Sequence, residues 1–152
     1  MEIPNEKGVY VLVLHLNRKI KLRVGSLSYQ LFKPGYYYYV GSALGPGGLR
    51  ARIYRHLRSS KKVRWHIDYL TVNQLFKPVL IVYAYSTERI ECNISLSLLS
   101  RGFKPYIRKF GSFDCRSCPT HLYYAKELNL EKVIEAFIEN RLNPRIKFIK
   151  DS

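Results

Sequence analysis

Residues 35–58, GYYYYVGSALGPGGLRARIYRHLR, hold the densest set of groups able to do chemistry. On an extended strand Tyr37 and Tyr39 point to one face, and Tyr36 and Tyr38 to the other. The segment 41–48 that follows carries four glycines and a proline, which leaves room for a close approach. In the helix expected over residues 49–58, Arg52 and His56 stand one turn apart and project the same way. A tyrosine hydroxyl, a cation and an imidazole gathered in one small volume suit a phosphate group. The same letters also fit a surface hairpin followed by an ordinary basic helix, and this stretch alone does not choose between the two.

Two further sets of groups lie downstream. Thr87 is expected to cap a helix running to about Ser100, with Ile90, Ile94 and Leu98 as its buried seam and Gly102 as its stop. Glu91 falls in its first turn, where a carboxylate gains roughly 0.3–1 kcal/mol from the helix dipole. At the border of the buried seam it could equally be aimed into a cleft. Cys115, Cys118 and His121 then follow at spacings of three, part of a zinc-ligand pattern. The fourth ligand of a structural zinc would come from Cys92, His66 or elsewhere. The alternative is a tight turn with buried thiols, capped or bonded by Asp114. Three cysteines in all read as reduced thiols, a metal site or one internal bridge.

The elements that must position these groups fit one domain spanning residues 1–152. A 47% hydrophobic share with 14% aromatics is enough for a single core. Residues 8–16 are apolar on both faces and read as a central strand; His15 near its end reads as a hydrogen-bonded strand residue. Residues 20–27 alternate as a half-exposed strand, and the tyrosine strand follows closely. That succession points to an antiparallel meander. Residues 61–70 suggest a short helix with Trp65, Tyr69 and Leu70 inward, residues 78–85 a second buried strand, and residues 106–110 a short one. The clearest helix carries Leu130, Val133, Ile134, Phe137 and Ile138 and is ended by Asn143-Pro144. Residues 145–150 read as a phosphate-contacting arm or a frayed end. The class is α+β.

Charge speaks to partners. Twenty-six Lys and Arg against 11 Asp and Glu leave +15, with an isoelectric point near 9.9. A basic domain of this kind is a candidate for binding nucleic acid, which counterion release would drive; the alternative is a ribosome-associated or ordinary basic protein. DNA is the expected partner and RNA the alternative; Arg50, Arg55, Arg58, Lys61, Lys62, Arg64 and His66 are the candidate contacts. No apolar run approaches the ~18 residues of a membrane span, and residues 1–7 show no targeting signal, so the expected compartment is the cytoplasm.

Gly8-Val9-Tyr10 on the first strand and Tyr39-Val40-Gly41 on the tyrosine strand, with Arg52, His56 and a later acid, resemble the GIY-YIG nuclease superfamily. The segments WHIDYL, Glu91-Cys92 and FGSFDCRSCPTHL look closest to its mainly archaeal Uri-type branch. The resemblance covers most of the chain. It implies a small central antiparallel sheet flanked by helices and an endonuclease that hydrolyses phosphodiester bonds with one divalent ion, Mg²⁺ or Mn²⁺. DNA repair, or the processing of branched or damaged DNA, is the expected setting. Tyr10 and Tyr39 would be the motif tyrosines, Arg52 the phosphate ligand, His56 a proton acceptor and Glu91 the metal-binding acid. Two departures stand out: an extra strand-length segment separates the tripeptides, and the family's late asparagine is not placed in this sequence, with Asp114 or His121 as candidates to substitute. The cysteine segment is expected to stand apart from the site. The competing expectation is a non-catalytic DNA- or RNA-binding domain on the same scaffold, with a structural zinc.

The charge makes a first prediction. If ~5 phosphates are neutralised on duplex DNA, the logarithm of the affinity should fall against the logarithm of salt concentration with a slope of about −4.5. A slope close to zero in a fluorescence-anisotropy titration would remove the argument from charge.

Overall fold

The computed structural model describes residues 3–112 and 115–150. Strand β1 (Gly8–Leu16) is buried except at His15, whose ring packs on Tyr36 at 4.6 Å between centroids. A strand apolar on both faces belongs in the middle of a covered sheet, and β1 takes that place. β4 (Gly35–Ala43) pairs with it along one edge and β5 (Phe76–Tyr85) along the other. Beyond β4 lie β7 (Leu122–Ala125) and then β6 (Lys104–Pro105); beyond β5 lies β8 (Arg145–Phe148). The six-stranded sheet runs β6-β7-β4-β1-β5-β8 with every pairing antiparallel, so the fold is α+β.

The expected meander does not form. β2 (Ile20–Arg23) and β3 (Tyr29–Phe32) pair only with each other, around a short 3-10 turn over Gly25–Leu27. β1 and β4 match over nine residues each, and joining them buries far more apolar surface than a four-residue strand with a polar face could offer. Residues 145–148 form the edge strand β8 rather than an arm or a frayed end. Residues 106–110 turn instead of forming a strand, because Ile107 and Lys109 hold φ of 62° and 69°.

Helices cover both faces. Tyr10, Leu12, Tyr37 and Tyr39 pack on Leu49 and Ile53 of α1 (Gly48–Leu57) and on Ile67 and Leu70 of α2 (His66–Thr71). Val9, Val11, Val13, Tyr38 and Val40 pack on Ile94 and Leu98 of α3 (Glu91–Ser100) and on Val133 and Phe137 of α4 (Leu130–Glu139). The tyrosines thus divide between the two faces as their alternation requires. α3 begins at Glu91, four residues after Thr87, with Ile90 at its N-cap and no side-chain cap. Among the described residues no helix is long and apolar enough to cross a membrane.

One buried ion pair joins the two helices that carry the basic residues. Asp68 of α2 is fully buried and accepts 2.8 Å bonds from Nη1 and Nη2 of Arg55 on α1. It also reaches back to the amides of Arg64 at 2.8 Å and Trp65 at 2.9 Å, closing the start of α2. Burial pushes this carboxyl up, but Arg55 and the two amides outweigh it and hold it at about 2. Removing Asp68 leaves the half-buried Arg55 guanidinium and the amides of Arg64 and Trp65 without their shared acceptor. Asp68→Ala should therefore cost roughly 3–5 kcal/mol in urea unfolding; a loss under ~1 kcal/mol would show that the pair does not join the helices.

A candidate active-site cleft

The register of β1 on β4 sets Tyr10 opposite Gly41 and Leu12 opposite Tyr39. Gly41 has no side chain for a reason: a Cβ there would stand 2.4 Å from the Tyr10 hydroxyl. The Tyr10 ring crosses this gap and its Oη lies 2.6 Å from Nε2 of His56 on α1. Both residues are 1% exposed. Burial, then the neighbouring charge of Lys61, drives the His56 pKa down to about 3. Burial, then Tyr39, raises Tyr10 well above the ordinary phenol value. Both groups are neutral near pH 7 and share this one hydrogen bond.

The start of α1 is occupied by the chain itself. Leu49 N–H donates to Glu6 O at 2.8 Å, Arg50 N–H to Pro4 O at 3.0 Å, and Arg50 Nε to Ile3 O at 2.7 Å. A Cβ on Gly48, where φ is +57°, would lie 2.3 Å from the Asn5 carbonyl. This end of the glycine-rich loop admits the N-terminal segment, so it is Arg52 and not the helix terminus that offers positive charge to a ligand. Arg52 donates to Ser42 O at 3.0 Å, and its guanidinium sits 4.5 Å from the Trp65 ring centre. Arg55 lies 4.1 Å from the same ring.

A cleft of about 680 Å³ opens between these elements, lined by Tyr39, Ser42, Arg52, Trp65, Arg89, Glu91, Cys92, Gly111, Ser112, Cys115 and His121. Glu91 Oε1 is 3.9 Å from Arg89 Nη1, while the buried Oε2 has no hydrogen-bond partner among the described residues. Tyr39 is 9% exposed; burial raises its pKa to about 12 against the downward pull of Arg52. Three of the five expected catalytic residues, Tyr39, Arg52 and Glu91, therefore face one cleft. Tyr10 and His56 lie behind its wall in the core.

The expected nucleic-acid contacts divide in the same manner. Arg50 is tied to Ile3, and Arg55 to Asp68. Lys61 Nζ donates to the carbonyls of Arg55 at 2.8 Å and His56 at 2.9 Å, holding the end of α1. His66 Nδ1 accepts from the amide of Gly111 at 2.9 Å. Arg58, Lys62 and Arg64 are exposed and line a shallow hollow of about 510 Å³ with Arg55, Ser60 and Lys61.

The cysteine segment does not stand apart. Cys92, Cys115 and His121 line the cleft, and Cys118 lies just behind them. Cys92 and Cys115 are joined as a disulfide, Cα atoms 6.6 Å apart, and Cys118 Sγ lies 2.8 Å from Cys115 Sγ. The ligand atoms of Cys92, Cys115, Cys118 and His121 all fall within 4.8 Å of one another, a grouping able to hold a metal ion. Asp114 lies outside the described residues. Arg89, Ser42 and the stacked Trp65 complete the cleft; Trp65 opens the WHIDYL segment, but none of the three was expected to serve the site. The Gly-Ser step after the tyrosines and the basic residue before Glu91 were the available signals.

The profile of the family described as Domain of unknown function DUF123 matches residues 9–142, so the chain belongs to that family. No curated protein and no solved structure matches it.

The neutrality of His56 has a measurable consequence. In the unfolded chain His56 takes up a proton below about pH 6.5, whereas the folded one stays neutral down to about 3. Its contribution to stability is thus complete above that unfolded value and is lost as the pH falls, by about 1.4 kcal/mol per pH unit. Between pH 7 and 5, wild type should lose about 2 kcal/mol more than His56→Gln in urea unfolding. Parallel losses in the two proteins would contradict the assignment.

Proposed function

We propose that this DUF123 chain is a divalent-metal-dependent endonuclease of GIY-YIG type, nearest the Uri branch, hydrolysing phosphodiester bonds in DNA. The observation that carries the reading is a buried carboxylate oxygen on Glu91, without a hydrogen-bond partner among the described residues, in the same cleft as Arg52 and Tyr39. A buried acceptor without a partner costs about 1–3 kcal/mol, and more when charged; a cation would relieve that cost. Glu91 fits Mg²⁺ or Mn²⁺, which needs only one or two protein carboxylates and, when bound, supplies Lewis-acid charge to the scissile phosphate. The extra segment between the two motif tripeptides is the β2–β3 hairpin, which leaves the tripeptides side by side in the sheet.

The chain's own groups take distinct tasks. Arg52 is pre-oriented by Ser42 O and the Trp65 ring, so its fork can hold a phosphate oxygen with little reorganisation. Tyr39, with a pKa of about 12, keeps its proton near pH 7 and orients the attacking water instead of deprotonating it. His56 does not reach the cleft; bonded to Tyr10, it is a positioning residue that sets α1 and hence Arg52, not the proton acceptor. Arg58, Lys62 and Arg64 extend the contact along the nucleic-acid backbone. Cytoplasmic repair or processing of branched or damaged DNA is the proposed setting. A domain that only binds DNA or RNA draws on the same basic surface but leaves the Glu91 oxygen without a task.

Single-turnover cleavage beside thermal melting tests these roles. Arg52→Ala should slow cleavage about 10²- to 10³-fold, the loss seen for one oxyanion donor, with general DNA affinity nearly intact. Glu91→Gln should abolish metal-dependent cutting while costing under ~1 kcal/mol of stability. Tyr39→Phe should slow cutting without changing metal affinity. Wild-type rates in both Arg52→Ala and Glu91→Gln would defeat the reading.

A further inference from the structure

We infer that Cys92, Cys115, Cys118 and His121 form a closed Cys₃His centre for one Zn²⁺, standing in the wall of the cleft. The inference does not rest on the cleavage reading. Its four groups come from separate places in the chain: Cys92 from the first turn of α3, Cys115 and Cys118 from the irregular segment before β7, and His121 from the residue preceding that strand. The fold nevertheless gathers their ligand atoms within 4.8 Å. Cys115 is 6% exposed, Cys118 4% and His121 6%.

The donor set selects the ion. Three sulfurs and one imidazole nitrogen complete the four-coordinate tetrahedral shell of a structural zinc site. Soft thiolates favour zinc over Mg²⁺ or Mn²⁺, which prefer oxygen. His121 is held for this role by its backbone: its N–H donates to Phe110 O at 2.9 Å and its carbonyl accepts from Val40 N at 2.9 Å. Its Nε2 then lies 3.6 Å from Cys92 Sγ. A disulfide between Cys92 and Cys115 engages only two of the four groups and leaves the buried Cys118 thiol beside them. In the reduced protein, one Zn²⁺ engages all four. Three thiols release three protons on binding, and the resulting centre carries a single negative charge in a chain of formal charge +15.

The full chain, expressed in zinc-containing medium and purified under reductant without chelator, should contain about one zinc per molecule by elemental analysis, the stoichiometry of a four-ligand structural site. Exchange of that zinc for Co²⁺ should give the strong visible bands of tetrahedral thiolate cobalt. Cys118→Ser and His121→Asn should each lose most of the metal, and Ser117→Ala should keep it. Should the ligand variants fail to fold, stripping wild type with a chelator provides the second measurement: the melting temperature should drop and return on adding Zn²⁺. Reduced wild type that takes up no zinc, or zinc whose amount and cobalt spectrum are unchanged in both ligand variants, would overturn the centre. So would a thiol count showing a Cys92–Cys115 disulfide and no metal in protein lysed under thiol-trapping conditions.

Discussion

The hydrogen bond between Tyr10 and His56 is the contact on which the cleft depends. It crosses from the central strand to α1 in a part of the core that water does not reach, where a bond lost leaves two polar groups unpaired. It exists because Gly41, the register partner of Tyr10, has no side chain to block the ring. With α1 fixed at His56, Arg52 one turn earlier lies over Ser42, and the Trp65 ring packs against both Arg52 and Arg55. The Arg55–Asp68 pair then holds α2 so that Trp65 cannot swing away.

Neutral and charged groups are separated by this arrangement. Tyr10 and His56 sit behind the wall, kept neutral by desolvation, and serve geometry. Arg52 and Glu91 face the open volume and bring opposite charges to one ligand site. Cys92 is the residue after Glu91, so whatever fixes its sulfur also fixes the first turn of α3 and the direction of that carboxylate. Together these features support the proposed nuclease site more strongly than the basic composition does, because many basic domains bind nucleic acid without a partnerless acid beside a pre-oriented arginine.

Much of the fold was legible because its signals are local. The two-sided burial of β1, the division of Tyr36 to Tyr39 between faces and the apolar stripe of α4 follow from periodicity alone. The pairing of β1 with β4 across the inserted hairpin was not, since strand order depends on which distant apolar edges match best. The turn at Ile107 and Lys109 was hidden for another reason: positive φ on such residues is imposed by the surrounding packing. In the cleft, Tyr39, Arg52 and Glu91 could be named from spacing and resemblance. Asp68 could not be matched to Arg55, nor Cys92 chosen over His66 as the fourth metal-site group, because both choices are made by tertiary contacts.

The most direct measurement is cleavage by the wild-type chain of end-labelled duplex, branched, damaged and single-stranded DNA, with matching RNA forms, in Mg²⁺, Mn²⁺ or EDTA. The proposed site predicts cutting of at least one DNA form that requires the divalent ion and stops in EDTA. Binding to every form with no cut in any, in either metal, would contradict the nuclease account and leave a nucleic-acid-binding domain.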